Sequence, residues 1–364
     1  MHPVEKLPSL ADLQDEFIAR TTRASGSNPM SDVSLHGGPR VALCLTVLNE
    51  ADNLAALFGS IVGQTRLPDE IVIVDGGSTD GTAELAWEWE ARGLPISLLV
   101  QPGANIAVGR NLAIAQAQSP IIAVTDAGVR LDRGWLAALV EPFTAPNPPD
   151  VVAGFFAADP RSVFETALGA TTLPTIEEIR PERFAPSSRS VAFTRHAWER
   201  AGGYPEWLDY CEDLVFDFAL QDEGCVQAWA PDAVVHFRPR SDPRAFFVQY
   251  YRYARGDGKA DLFRRRQAIR YATYLGLPVG LLLARRWPWL LGPAALAAAA
   301  YVRRPYLRLW PLFPALSWRD RLAALAWVPA IRVIGDVAKM LGYPVGRWWR
   351  LRHQELVPAD HPRR

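Results

Sequence analysis

Short apolar runs alternate along the chain with segments whose apolar residues recur every three or four positions. The runs predict buried strands at 41–48, 70–77, 96–103 and 120–128. The segments between them predict helices at 51–65, 82–93 and 105–118. Successive strands begin 29, 26 and 24 residues apart, a spacing typical of strand-helix-strand units. We therefore expect an α/β domain with a mostly parallel central sheet that is covered by helices on both faces.

Polar side chains follow three of these predicted strands at the point where each strand ends. They are Asn49 and Glu50 after the first strand, Asp75 after the second and Asp126 after the fourth. Ligands bind beyond the carboxyl ends of the strands in open parallel sheets, so these side chains are candidate ligand contacts. Each could instead cap the helix that follows it, as we expect of Asp80 and Thr82. Three acidic strand ends at one edge of a sheet favour a binding site.

The charge balance changes sharply near residue 236. Residues 1–236 contain 15 Lys and Arg against 32 Asp and Glu, whereas residues 237–364 contain 24 against 7. The excess of arginine in the second part, including the run at 264–266, indicates an anionic partner such as a lipid surface or nucleic acid. The 3 cysteines are odd in number and irregularly spaced, so they predict neither a disulfide framework nor a zinc site.

Two apolar stretches among these arginines favour membrane lipid, and not nucleic acid, as the partner. Residues 271–284 and 287–302 contain no acidic side chain. As helices they would rise only about 21 and 24 Å, which is less than the roughly 30 Å of a hydrocarbon core. A single joined span would bury Arg285 and Arg286 at about 3 kcal/mol each. Three alternatives follow: two short membrane-inserted helices, interfacial helices, or a buried helical subdomain.

The segment at 332–352 predicts an amphipathic helix. Arg332, Asp336 and Lys339 share its polar face. Docking at a membrane surface explains this pattern, and packing on the preceding domain explains it as well. No pattern in the chain predicts an oligomeric state.

Six short motifs follow one another between residues 41 and 260. They are TVLNEADNL at 46–54, IVIVDGGSTDGT at 71–82, GRNLAIAQAQSPIIAVTDAG at 109–128, AGGYPE at 201–206, CEDLVFDF at 211–218 and QYYRYARG at 249–256. In this order they resemble the inverting family 2 glycosyltransferases, which have the GT-A (nucleotide-diphospho-sugar transferase) fold, and among them the membrane-associated bacterial type. The last motif is similar to the Gln-x-x-Arg-aromatic motif of the processive members.

The resemblance implies a nucleotide-sugar donor and a lipid-linked or glycan acceptor, in surface polysaccharide or glycolipid synthesis. It assigns donor binding to Asn49, Glu50, Asp75, Arg110, Asp126, Gln249 and Arg252. Carboxylates suit the N–H and hydroxyl donors of a base and ribose, and a guanidinium suits a diphosphate. Inversion requires one base to take the proton of the acceptor hydroxyl. The resemblance places Asp213 in that role, with Glu212 beside it.

The strand ending at Asp126 departs from the family pattern, because Gly128 stands where a second aspartate is expected. A diphosphate leaving group needs Mg²⁺, Mn²⁺ or a cationic substitute. In one alternative, Asp126 and the donor phosphates hold the divalent cation, with His236 as a possible further ligand. In the other, arginines such as Arg110, Arg189 and Arg252 replace the metal.

Composition, charge and the resemblance together divide the chain into a flexible N-terminal tail at 1–38, a GT-A catalytic domain at 39–262 and a basic helical membrane-associated region at 263–364. Residues 1–38 lack the apolar segment of a secretory signal, so we expect the catalytic domain at the cytoplasmic face of the cell membrane. One rival function is a non-catalytic membrane-associated scaffold that retains the fold. A nucleotidyltransferase is disfavoured, because the loop after the first strand lacks the glycine-rich sequence expected there.

Overall fold

The computed structural model describes residues 38–358, so the predicted tail at 1–38 lies outside the described residues except for its last position. Eight strands within 38–358 form a single sheet. They are β1 (Val41–Val47), β2 (Glu70–Asp75), β3 (Ile96–Val100), β4 (Ile121–Val124), β5 (Val129–Leu131), β6 (Val151–Ala158), β7 (Val191–Thr194) and β8 (Gln227–Phe237). Their order across the sheet is β3-β2-β1-β4-β7-β6-β8-β5.

Helices connect these strands and then continue beyond the last one. They are α1 (Ala51–Val62), α2 (Thr82–Ala91), α3 (Ile106–Gln116), α4 (Trp135–Val140), α5 (Val163–Thr172), α6 (Arg195–Arg200), α7 (Glu212–Asp222), α8 (Pro243–Ala260), α9 (Arg264–Arg286), α10 (Leu291–Leu309) and α11 (Trp318–Arg352). The three helices predicted between the first four strands are confirmed as α1 to α3. Helix α2 ends before Gly93, whose φ of 101° lies in the left-handed region that favours glycine.

The first four strands form the parallel part of the sheet, as the sequence pattern predicts. Strand β1 lies between β2 and β4 and is parallel to both, and β3 is parallel to β2. Strand β7 then runs antiparallel to β4, and β6 antiparallel to β7. Val47 and Asp75 are partners in the register of β1 and β2, so both strands end at the same level. The polar residues that follow them are therefore close together.

The chain forms two compact units, each built from separate segments. The first unit comprises residues 38–156, 181–204 and 219–236 and contains nearly all of the sheet. The second unit comprises residues 157–180, 205–218 and 237–358. The boundary predicted at residue 262 falls inside the second unit.

The core of the first unit is apolar on both faces of the sheet. Leu54, Phe58 and Ile61 on one side of α1 are fully buried, which explains their spacing of three and four. The indole of Trp135 is also fully buried, and its Nε1 donates to the Ser190 hydroxyl oxygen at 2.9 Å. Full burial of such large side chains contributes about 1.5 to 3 kcal/mol each.

Two long helices, α8 and α11, pack closely against each other in the second unit. The contact is made through glycine: a Cβ atom added at Gly342 would overlap the carbonyl oxygen of Tyr251. One added at Gly346 would overlap the carbonyl oxygen of Arg255. Because glycine has no side chain, the two backbones touch directly along this face. Any larger residue at either position would force the helices apart.

The polar face predicted at 332–352 is packed inside this unit. The Asp336 carboxylate accepts hydrogen bonds from Arg270 Nε at 2.7 Å and from the Tyr274 hydroxyl at 3.0 Å. Lys339 Nζ lies 4.8 Å from the centre of the Tyr250 ring, and burial lowers the pKa of this amine to about 8. Since Tyr250 belongs to α8, packing on the preceding domain is the alternative that the contacts support.

Helices α9 and α10 contain the two apolar stretches and expose many large apolar side chains. Those more than half exposed include Leu275, Leu277 and Leu282 of α9 and Leu296 of α10, and Trp289 in the short 3-10 turn between the helices is also more than half exposed. Neither helix, nor any other between residues 38 and 358, is long and apolar enough to cross a membrane. The expectation of two short transmembrane helices at 271–302 is therefore not supported.

Candidate functional site

Asp75 ends β2 with a fully buried carboxylate. Its Oδ1 accepts hydrogen bonds from the backbone N–H groups of Gly77 at 2.8 Å and Ser78 at 2.7 Å. Its Oδ2 is buried too and has no hydrogen-bond partner among residues 38–358. A buried carboxylate oxygen without a donor carries a desolvation cost. The arrangement therefore favours a ligand that donates a hydrogen bond at Oδ2.

Hydrogen bonds connect the loop after β1 to the loop after β2. The backbone N–H of Asn49 donates to the Ser78 hydroxyl oxygen at 2.8 Å, and Asn49 Oδ1 accepts from the Thr79 N–H at 3.0 Å. The Glu50 N–H donates to the Thr82 hydroxyl oxygen at 2.9 Å. Asn49 has a φ of 55°, a left-handed conformation that asparagine tolerates better than most residues. Asn49 thus shapes the loops, while the Glu50 carboxylate accepts a hydrogen bond from Asn53 Nδ2 at 2.6 Å.

Arg110 is brought to the edge of the sheet by the close approach of α3. A Cβ atom added at the preceding residue, Gly109, would lie 2.6 Å from Thr46 Cγ2 of β1. The small residue at this position lets the helix lie against the strands, and Arg110 itself is only 2% exposed. A guanidinium held at that depth is fixed in position before any ligand arrives.

Asp126 lies between two arginines in the first unit. Arg110 Nη2 is 2.9 Å from Asp126 Oδ1, and Arg189 Nε is 3.4 Å from Asp126 Oδ2. The guanidinium carbon of Arg110 lies 5.3 Å from the centre of the Tyr204 ring. Arg110 and Asp126 were both expected at the donor site, and the structure brings them together.

The two predicted metal ligands have different partners. His236 Nε2 lies 2.8 Å from Asp132 Oδ1, whereas Asp126 faces the arginines. No group of three or more His, Cys, Asp or Glu side chains that could hold a metal ion occurs in residues 38–358. Asp126 alone fits a divalent cation only where other ligands complete the shell, as donor phosphates do for Mg²⁺. These residues therefore fit a shared site and not a protein cage.

Glu212 and Asp213 begin α7 in the second unit. Glu212 is buried, and Asp213 is partly exposed. Cys211 before them has a φ of 72°, which is strained for a residue with a side chain. Its thiol donates to Asp257 Oδ1 at 3.2 Å, and burial followed by the charge of Asp257 raises the pKa of the thiol. This hydrogen bond helps to hold the turn that presents the two acids.

Four further side chains of this region were not anticipated from the sequence. Asp209 Oδ2 accepts from Lys259 Nζ at 2.8 Å and from Arg255 Nη2 at 3.1 Å. The Tyr210 hydroxyl accepts from Arg252 Nη1 at 3.1 Å. These contacts tie α8 to the turn before α7. The acidic DYCED at 209–213 and the basic end of α8 were the available signal, but their pairing depends on the fold.

Gln249 and Arg252 lie on one face of α8, as their spacing predicts. Gln249 Nε2 donates to the Tyr253 hydroxyl at 2.9 Å. Both residues line a pocket of about 390 Å³ that Arg240 and Arg244 also line.

The predicted site residues thus fall into two groups. Asn49, Glu50, Asp75, Arg110, Asp126 and His236 belong to the first unit, and Glu212, Asp213, Gln249 and Arg252 belong to the second.

Comparisons with known proteins agree with the motifs. Residues 42–195 match the family model described as glycosyl transferase family 2. The chain is 24% identical to the O-antigen chain rhamnosyltransferase RfbN of Salmonella typhimurium, over 58% of this chain and 70% of the relative. It is 27% identical to the succinoglycan biosynthesis protein ExoA of Rhizobium meliloti, over 61% and 70%.

A solved structure is similar in fold. The mannosyltransferase PcManGT from Pyrobaculum calidifontis, in complex with GDP-Man and Mn²⁺, aligns with a TM-score of 0.51 at 23% identity. The alignment covers 91% of this chain and 95% of that protein. The predicted fold class, a mixed α/β sheet of the GT-A type followed by helices, is confirmed.

Proposed function

Since this chain belongs to glycosyltransferase family 2 through residues 42–195, we propose that it transfers a sugar from a nucleotide-sugar donor in the synthesis of a surface polysaccharide. The acceptor is a lipid-linked sugar or a growing glycan. Relatives named for O-antigen and succinoglycan synthesis support this assignment. They do not favour the non-catalytic scaffold as the alternative.

The nucleoside of the donor binds at the ends of β1 and β2. Asp75 carries this assignment, because its buried Oδ2 can accept a hydrogen bond from a base or ribose donor. Glu50 offers a second carboxylate at the same end of the sheet, and Asn49 keeps the two loops together. The assignments of Asp75 and Glu50 follow from the rule that open parallel sheets bind ligands beyond the carboxyl ends of their strands.

The diphosphate of the donor binds near Asp126. Arg110 and Arg189 supply positive charge to the phosphates, and Arg110 is already fixed by burial. We propose that a divalent cation binds together with the donor, held by Asp126 and the two phosphates. Such an ion supplies charge that stabilises the leaving diphosphate. His236 is hydrogen-bonded to Asp132. Its role is therefore to orient the neighbouring loop and not to bind the cation.

Asp213 acts as the general base. It takes the proton from the acceptor hydroxyl while that oxygen attacks the anomeric carbon of the donor sugar. The bond from this carbon to the diphosphate breaks on the opposite face, which inverts the configuration. Glu212 is buried beside Asp213 and positions the start of α7. Gln249 and Arg252 provide polar contacts for a phosphate of the donor or the acceptor.

We propose that the second unit binds the cytoplasmic face of the cell membrane. The exposed apolar side chains of α9 and α10 lie among arginines, which suits an anionic bilayer surface. Flotation with vesicles of neutral and anionic lipid tests this. Binding should require anionic lipid and should weaken in the Leu275→Glu, Leu282→Glu double variant. Val226→Glu, an exposed apolar residue of the first unit, is the control.

The donor assignment is tested at Asp75. Asp75→Asn keeps an oxygen for the two backbone N–H groups but can place an NH₂ group where Oδ2 stands. We expect the affinity for UDP, GDP or dTDP, whichever binds best, to fall about tenfold or more in calorimetric titration. Asp52→Asn, on the exposed side of α1, should bind as the wild type does. Unchanged affinity in Asp75→Asn would refute the proposed nucleoside contact.

A further inference from the structure

Three arginines surround one pocket in the second unit. We call the pocket lined by Arg240, Arg244, Arg252, Gln249, Tyr210 and Tyr253 the arginine pocket. Building on the proposed function, we propose that the arginine pocket binds the phosphate or diphosphate group of an amphiphilic acceptor. The acceptor class is thereby narrowed to a sugar linked to a lipid phosphate.

The charge of the pocket is positive and poorly compensated. Its one carboxylate, Asp242, caps α8: Oδ1 accepts from the N–H groups of Arg244 and Ala245, both at 2.9 Å. Arg252 donates to a neutral partner, the Tyr210 hydroxyl. Within residues 38–358, neither Arg240 nor Arg252 forms an ion pair with a carboxylate. Guanidinium groups left without carboxylates match the geometry and charge of a phosphate.

The shape of the pocket suits more than a bare anion. Its volume of about 390 Å³ lies in the range of small-molecule sites. Val248 and the rings of Tyr210 and Tyr253 form an apolar part beside the arginines. The ring of Tyr210 is held under the guanidinium of Arg252, 5.8 Å from its carbon. An apolar wall next to cationic groups fits a molecule that joins a phosphate to a hydrocarbon chain or a sugar.

A phosphate of the acceptor is a better occupant of the arginine pocket than the diphosphate of the donor. The nucleoside and diphosphate of the donor have their own contacts at Asp75, Arg110 and Arg189 in the first unit. The second unit also exposes the apolar side chains of α9 and α10, which suit a membrane surface. A substrate anchored in that membrane would present its phosphate at the interface.

The test compares ligands that share or lack the two halves of such a substrate. Geranyl diphosphate, inorganic pyrophosphate and geraniol are titrated into the full chain in a calorimeter. We expect geranyl diphosphate to bind at least about tenfold more tightly than either of the others. We expect the Arg240→Gln, Arg244→Gln double variant to lose about tenfold or more of that affinity. Arg92→Gln, an arginine of the first unit, should retain it.

Two results would overturn the proposal. One is equal binding of geranyl diphosphate to the wild type and the double variant. The other is binding of pyrophosphate or of geraniol as tight as that of geranyl diphosphate. Equal binding of pyrophosphate would mean that the apolar part of the pocket contributes nothing, and equal binding of geraniol would mean the same of the arginines. If the thermal midpoint of the double variant lies below that of the wild type, Arg252→Lys, which keeps the positive charge, tests the same site.

Nucleoside diphosphate binding separates this proposal from the proposed function. It should be unchanged in the double variant, because the donor contacts lie in the first unit. A parallel loss of nucleoside diphosphate affinity would assign the arginine pocket to the donor and overturn the acceptor assignment. Failure of the Asp75→Asn test would instead count against the donor site itself.

Discussion

Arg110 and Asp126 form an ion pair in which the arginine side chain is 3% exposed and the aspartate side chain 29% exposed. They are 16 residues apart in the chain and meet because α3 begins, and β4 ends, at the same edge of the sheet. The pair holds a guanidinium where a donor diphosphate is proposed to bind. Asp126 also lies 3.4 Å from Arg189 Nε, so an arriving anion or cation changes the balance of charge among the three side chains.

Loss of Asp126 should destabilise the protein. Asp126→Asn leaves the buried Arg110 guanidinium without its carboxylate, and we expect the free energy of unfolding to fall by about 2 kcal/mol. Urea denaturation measures this. Asp132→Asn removes a half-exposed carboxylate that lies near Arg130 and His236, and it should cost less than about 1 kcal/mol. Equal losses would contradict a stabilising role for the buried pair.

Gly128 has room for the missing carboxylate. A Cβ atom added there meets nothing within 4 Å. Its φ lies outside the left-handed range. Gly128→Asp should therefore fold normally and tighten Mn²⁺ binding in the presence of a nucleoside diphosphate by about tenfold. Calorimetric titration of Mn²⁺ measures this, with Gly134→Asp, equally unhindered, as the matched control.

The order of cation and donor binding can be observed directly. Because Asp126 is the single protein carboxylate proposed for the shared site, Mn²⁺ alone should leave the thermal midpoint unchanged. Mn²⁺ with a nucleoside diphosphate should raise it above the value for the nucleotide alone. If exhaustive chelation leaves both nucleotide affinity and transfer at full strength, the arginines replace the metal and the shared site is refuted.

Asp213→Asn should remove the base without removing the donor. We expect the rate of sugar transfer to fall by about 10² to 10⁴, with nucleoside diphosphate affinity unchanged. Asp222→Asn lies on the same helix and is exposed, so its rate should equal that of the wild type. Transfer that survives Asp213→Asn would refute the base assignment and revive the scaffold alternative.

The buried carboxyl of Asp257 predicts a pH dependence of stability. Burial raises its pKa to about 6, against the hydrogen bond from Cys211 and the positive charges of Lys339, Arg270 and Arg266. The folded state thus holds this proton more tightly than the unfolded chain does, so its stabilising contribution is lost as pH rises through about 6.

Asp257→Asn should flatten that dependence. Relative to the variant, the wild type should lose about 1.4 kcal/mol of unfolding free energy between pH 5 and pH 8. Urea denaturation of both proteins at the two pH values gives the difference. A constant difference would mean that Asp257 titrates alike in the folded and unfolded chains.

The parallel strands and the helices between them were predictable because their signals are local. The run 41–47 is apolar at nearly every position, as a strand buried on both faces must be. Asp75 and Asp126 were predictable as site residues for a related reason, since each directly ends such a run. Their position follows from the direction of the strand and not from distant contacts.

The remaining features depend on tertiary contacts. His236 meets Asp132 from 104 residues away, so its spacing to Asp126 carried no information about its partner. Asp209 is paired with Lys259 across 50 residues. The α11 face with Asp336 resembled a solvated amphipathic face, because charged residues buried in pairs have the same periodicity as exposed ones.

The glycine contact between α8 and α11 has a consequence for the order of events during synthesis. Helix α8 cannot complete its packing until Gly342 and Gly346 have been made, some 90 residues after Tyr251 and Arg255. Helices α9 and α10 are synthesised in that interval. Their apolar side chains are therefore present before the second unit can complete its packing. Because such long-range contacts form late, we expect these helices to meet the membrane while the chain is still being made.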